Sequence, residues 1–243
     1  MASAVTAMEN LEGYEPDPAW LGTALRLNRE YGNFLEEQGQ VADARTVYAH
    51  ALELLKRLGA GEDGYGRRFE EARLLSRIGA NSLYAGDTAG ARMDLEPAVE
   101  RLRELVAGHP GVTFEVQLVS ALDKLGEAYW REGDYRRAEA LLEEGLVIMR
   151  RHHEMAPDAA ATLSNLADAL ERLLEVWRAL GKLDVAWRGA AEANALRRLA
   201  LDLSGAAQDR ALLGFSLVRA AEVAARVGQV DEGYELCTEA LTL

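Results

Sequence analysis

One cysteine, five prolines and four histidines in 243 residues leave several protein classes without their raw material. The single Cys237 cannot form an intrachain disulfide, so no disulfide framework holds this chain, and its place in the pattern below asks for a small, buried apolar residue. The prolines fall mostly near the ends of repeating units, as at Pro18 and Pro110, and no stretch alternates apolar and polar residues with period two. Strands are therefore not expected, and the chain reads as all-α. No run of 18 apolar residues free of charge occurs, and the start MASAVTAMEN has neither a basic opening nor a long apolar core. Neither membrane insertion nor secretion is indicated, and the expected compartment is the cytoplasm. Basic residues are also short: 27 against 40 acidic ones give a net charge of −13, a field that repels a phosphate backbone and argues against nucleic acid as a partner.

Catalytic patterns are equally scarce. Gly59-Ala60-Gly61-Glu62-Asp63-Gly64 has the G-x-G-x-x-G spelling, but it follows no strand and sets two carboxylates where phosphates would sit, so it reads as a flexible loop. In His152-His153-Glu154, neighbouring residues on a helix point about 100° apart and no spaced second ligand pair follows. These histidines suit the negative end of a helix better than a metal. His50 and His109 stand alone, and no serine or cysteine has a base in register. Neither enzyme activity, cofactor nor metal is expected.

What the chain does have is glycine at a fixed interval. Gly39, Gly86, Gly133, Gly181 and Gly228 are spaced by 47, 47, 48 and 47 residues. Five residues after each comes a tiny residue (Ala44, Ala91, Ala138, Ala186, Gly233), and four further on comes Tyr48, Leu95, Leu142, Ala190 or Cys237. A small residue at a constant offset after a turn lets a second helix pack closely on the first, and the later residue sits one turn along the same face. Each unit reads as helix, glycine turn, helix. Apolar periodicity places first helices near 18–38, 67–85, 112–132, 158–180 and 207–227, and second helices near 41–58, 88–107, 135–153, 183–203 and 230–243. Asp17-Pro18 supplies an N-cap followed by a proline at the first helical position. Residues 1–16 show no periodicity and are expected to be a flexible tail.

The third unit carries the pattern most completely, with Leu122, Leu125-Gly126, Tyr129, Gly133, Ala138 and Leu142. This resembles the tetratricopeptide repeat (TPR), in which a leucine-glycine pair and an aromatic precede the small residue of the second helix. The first unit follows with Tyr31-Gly32, Ala44 and Tyr48, and the second with Ile78-Gly79, Ala91 and Leu95; in the fourth, Leu174 replaces the glycine, and the fifth keeps only small apolar character at Ala220, Ala221 and Ala224. The resemblance implies a right-handed superhelical solenoid of about five helix-turn-helix repeats over 17–243, with units near 17–63, 64–110, 111–156, 157–205 and 206–243. The period departs from the family's usual value of about 34 residues, so helices or linkers must be longer, and a HEAT-like array would also fit it.

Superposing the units shows one surface column, nine residues before each turn glycine: Glu30, Arg77, Lys124, Arg172 and Arg219. In TPR proteins the first helices line the concave surface, so by resemblance this column faces the groove. One reading makes it a cationic ladder for an acidic or C-terminal carboxylate peptide, flanked by Tyr84, Trp130 and Arg131 as candidate anchors. Arg29 and Asn33 resemble the pair used by chaperone-binding, carboxylate-clamping members, although Arg77 stands where those members carry asparagine and Ser120 where they carry a base. The other reading is a face neutralised by i,i+3 pairs, Lys124 with Glu127, Arg172 with Glu175, and Arg219 with Glu222. The last expected helix leaves an apolar face uncovered, so either the array continues or that face closes on another copy through Leu236 and Leu241. The regular unit also resembles the sensor or scaffold arrays of bacterial signalling proteins. A protein- or peptide-binding scaffold is thus expected, with an oligomerisation or sensor module as the alternative.

Overall fold

The computed structural model describes residues 17–58 and 64–243; the expected tail at 1–16 and nearly all of the glycine-rich loop lie outside them. Among the described residues there are ten helices and no strand: α1 (Pro18–Glu37), α2 (Val41–Arg57), α3 (Tyr65–Tyr84), α4 (Thr88–Gly108), α5 (Val112–Arg131), α6 (Tyr135–Met155), α7 (Ala160–Ala179), α8 (Leu183–Ser204), α9 (Ala207–Arg226) and α10 (Val230–Thr242). Their ends fall within two residues of those read from the periodicity. The Asp17 carboxylate accepts from the Trp20 N–H at 2.7 Å and Pro18 opens α1, as the cap chemistry requires.

The turn glycines owe their spacing to backbone geometry. All five have positive φ, from 72° at Gly181 to 85° at Gly86, a region in which a Cβ is strained. The residue after the glycine donates its N–H to a carbonyl five positions back: Gln40 to Leu35 at 2.8 Å, Asp87 to Ser82 at 2.9 Å, Lys182 to Trp177 at 2.8 Å and Gln229 to Ala224 at 2.9 Å. This Schellman closure satisfies an end carbonyl and reverses the chain, so the next helix starts at once and runs back along the first.

The chain forms two compact units, Met1–Glu132 and Gly133–Leu243. In the first, α1 pairs with α2 and α3 with α4; α2 also packs on α3, α4 on α5, and α3 lies beside α5. In the second, each helix from α6 to α10 packs on the next.

Within the first, second and fourth helix pairs a small residue faces a large one. A Cβ on Gly32 would lie 2.5 Å from the Tyr48 ring, and one on Gly79 would lie 2.6 Å from Leu95 Cγ and 3.0 Å from the Ala91 carbonyl. In the fourth repeat the volumes change sides. Leu174 stands where Gly32 and Gly79 stand, and the second helix answers with Ala190; next to it, a Cβ on Gly189 would meet Trp177 at 2.6 Å. The missing glycine of that repeat is thus a swap across the helix pair, with total volume kept. Cys237 departs from expectation: it is exposed.

Gly79→Ala is expected to cost about 1–3 kcal/mol in urea unfolding, through overpacking against Leu95. Adding Leu95→Ala should make the double variant less destabilised than the sum of the two singles; strictly additive losses would show that Gly79 does not act through Leu95.

Candidate functional site

Three first helices of the first unit border a groove of about 570 Å³. Its wall on α3 is the stripe Arg73, Arg77, Ala80 and Tyr84, at helical spacings of 4, 3 and 4, whereas Leu74, Leu75 and Ile78 on the other side of the helix are buried. Gln117, Ser120 and Lys124 continue the wall on α5, and Glu36 and Glu37 close it at the end of α1. Of the residues singled out in the sequence, Arg77, Tyr84 and Lys124 are brought together here.

Each cation in the groove already has an internal carboxylate. Arg77 reaches Glu36 at 2.7 Å, Arg73 reaches Glu70 at 2.8 Å, and the Lys124 ammonium lies 3.2 Å from Glu127 and 4.6 Å above the Tyr84 ring. Asn81 Nδ2 donates to Glu36 at 2.5 Å and to the Arg77 carbonyl at 2.8 Å, but the buried Asn81 Oδ1 has no partner among the described residues. Behind Glu36, the Tyr48 hydroxyl donates to Asn33 Oδ1 at 2.7 Å. Burial, reinforced by the charge of Glu36, raises the Tyr48 pKa well above its usual value and keeps the phenol a donor.

The remaining positions serve other ends. Arg29 pairs with Glu70 at 3.4 Å and Asn33 is engaged by Tyr48, and neither lines the groove. Arg131 clips α5 to α3, donating to the Leu83 carbonyl at 2.8 Å and to Glu127 at 2.6 Å, and Trp130 beside it is partly exposed away from the groove lining. In the second unit Arg172 is exposed on α7, and Arg219 on α9 donates to the Glu171 carbonyl at 2.8 Å with Glu175 at 3.7 Å. The expected Arg219–Glu222 pair is not made: Glu222 is taken by Arg178 at 3.2 Å. On α10, Leu236 is half-buried and Leu241 is 88% exposed.

A common geometry explains the altered pairing. Arg29–Glu70 and Arg77–Glu36 are 41 residues apart, Arg92–Glu132 40, Lys182–Glu139 43 and Arg178–Glu222 44. In each of these pairs a long basic side chain reaches a neighbouring helix about one period away, and Arg92 and Arg178 also hold a carboxylate on their own helix, Glu96 at 3.1 Å and Glu175 at 2.8 Å. Glu36, the acid that anchors the groove, was legible only by comparing charges one period apart, and no local pattern marks it. Among the described residues no group of three or more His, Cys, Asp or Glu could hold a metal, and no helix is long and apolar enough to cross a membrane.

A family model described as tetratricopeptide repeat matches residues 118–158. No curated protein matches the chain. Among solved structures, BtubC from P. vanneervenii is similar over 99% of this chain and 87% of its own, with 16% identity and a TM-score of 0.73. The nearly identical TPR-like repeats of a kinesin-light-chain-like protein from Podosopora anserina superpose over 94% of this chain and 96% of theirs, at 18% identity and a TM-score of 0.65. The Rap conjugation gene regulator of the plasmid pLS20, in complex with the Phr* peptide, is 14% identical over 97% of this chain with a TM-score of 0.61; this chain spans 57% of that protein. At these identities the likeness is one of fold. The chain carries a tetratricopeptide repeat at 118–158, and its helix pairs have the all-α fold of the TPR-like repeat proteins.

Proposed function

We propose that this chain is a non-enzymatic scaffold that holds a protein segment or peptide in the groove between α1, α3 and α5, with a preference for acidic residues or a terminal carboxylate. The observation that carries the reading is the groove wall itself: three cations, Arg73, Arg77 and Lys124, an aromatic ring at Tyr84 and amide groups at Asn81 and Gln117, all on one side of the first helices. The Arg77 side chain is 52% exposed in its pair with Glu36, and such pairs are worth only about 0–1 kcal/mol. A ligand carboxylate can therefore replace Glu36 on Arg77 at little cost, and Tyr84 offers the kind of aromatic surface that anchors interfaces. A groove of this volume suits a few side chains of an extended segment. That a Rap regulator of similar fold is solved with a peptide supports the reading for this chain.

A second reading is favoured by α10, where Val230, Tyr234 and Leu241 are exposed on the last described helix. On this reading copies associate through that helix.

Labelled acidic peptides with a free C-terminus, titrated by fluorescence anisotropy, should bind the unaltered chain with an affinity that falls as salt rises. Arg77→Glu with Lys124→Glu should weaken that binding at least about tenfold and flatten the salt dependence. Unchanged affinity and slope in the double variant would remove the acidic preference. For the second reading, light-scattering mass is expected to rise with concentration and to stay monomeric in Leu241→Glu; a constant mass in the unaltered chain would sink self-association.

A further inference from the structure

The junctions between successive repeats are not alike. In the first unit α2 offers Leu52 and Leu55 to Leu74, Leu75 and Ile78 of α3, and the five residues form part of one apolar cluster. The same two positions, 13 and 16 residues after the turn glycine, hold buried Val99 and Leu102 on α4 and buried Leu146 and Met149 on α6. On α8 they hold Asn194 and Arg197, both equally buried. The facing helix changes too: where α3 has Leu74, Leu75 and Ile78, α9 has Ser216, Leu217 and Ala220.

Arg197 is 1% exposed, yet it is charged. Burial works against that charge; hydrogen bonds and the charges of Glu171 and Asp168 outweigh it, and the pKa stays above the ordinary guanidinium value. Its Nε lies 3.0 Å from Glu171 and its Nη2 also bonds Asp168. All of these partners are on α7, so the charge ties α8 back to α7 and nothing of it reaches forward to α9. Its Nη1 and the Asn194 Oδ1 have no partner among the described residues. Buried polar atoms left in this way keep their desolvation penalty uncompensated, and a buried ion pair is often no better than apolar side chains of the same size.

α9 packs on α8 and buries Leu213, Leu217 and Ala220, and a rim of arginines adds a polar hold on α9 and α10. Arg198 on α8 grips Glu239 on α10 at 2.7 and 2.9 Å, Arg178 on α7 reaches Glu222 on α9 at 3.2 Å, and Arg219 on α9 caps the Glu171 carbonyl at 2.8 Å. The hydrogen bond from Arg198 holds the Glu239 carboxyl below its usual range. Added salt does not screen apolar burial and, where the ions are excluded from the surface, strengthens it, whereas exposed and half-exposed ion pairs are screened.

We propose that α9–α10 is an electrostatically clasped terminal pair that opens from α7–α8 as one unit as ionic strength rises, while the apolar junctions of the first unit stay closed. Opening draws Arg219 away from the Glu171 carbonyl, so the clasp sets whether that cation is held or free. The inference concerns the second unit alone and does not depend on the groove of the first.

Hydrogen exchange read by mass spectrometry on the whole chain tests it, at about 0.05 M and about 1 M sodium chloride. Amide protection in α9 and α10 is expected to fall by about tenfold at high salt, with α7, α8 and α3–α5 unchanged. Arg198→Gln should produce the same selective loss at low salt. Equal protection of α7–α8 and α9–α10 at both salts would overturn the proposal, as would a loss spread evenly over α6–α10, or an Arg198→Gln chain with unaltered exchange in α9 and α10. The salt series on the unaltered chain decides the matter even where the variant does not fold.

Discussion

Two helices can lie along each other closely only where one gives up volume to the other, and the first, second and fourth repeats are built on that concession. Gly32 receives the Tyr48 ring, Gly79 receives Leu95, and in the fourth repeat the small side passes to Gly189 and Ala190 while Trp177 and Leu174 fill the space. At the turns of Gly39, Gly86, Gly181 and Gly228 the left-handed glycine sets the phase, because the 6→1 hydrogen bond that follows it fixes where the second helix begins. Once phase and approach distance are set, successive repeats present the same columns to one another. The apolar columns make the core, and the polar columns end up beside their counterparts one period away.

That alignment decides what the charges do. An arginine on a first helix finds a carboxylate on the neighbouring first helix, as Arg77 finds Glu36 and Arg178 finds Glu222. The same kind of ion pair clamps the rim between repeats and, on the proposed function, would give way in the groove of the first unit to an incoming carboxylate. The two roles are compatible because each pair is weak by itself: its geometry can be fixed by packing while its energy leaves room for competition. Of the two readings of this surface, the structure shows internal pairing at Arg77 and Lys124, and the cationic ladder enters only with the proposed ligand.

Repeat proteins distribute stability over their junctions, so a single polar junction changes local behaviour without disturbing the fold elsewhere. The pair Asn194 and Arg197 does this at the last junction. Three other second helices put leucine, valine or methionine at those positions, and the difference is written in the side chains alone, since backbone phase is the same in all of them.

The sequence by itself determined the helices, their turns and their pairing, because these depend on contacts within about 47 residues and on glycine, alanine and leucine at fixed offsets. It showed the column of Arg77, Lys124, Arg172 and Arg219, and it placed Tyr84 near it, since helical periodicity alone tells which residues share a face. Tertiary structure decided the rest. It gathered Arg77, Tyr84 and Lys124 into one groove and sent Arg219 to the Glu171 carbonyl. It gave Arg131 a structural task and left Cys237 in the open. The physical reason is reach: an arginine side chain is long enough to choose between its own helix and the next, and only the distance between packed helices settles which carboxylate or carbonyl it meets.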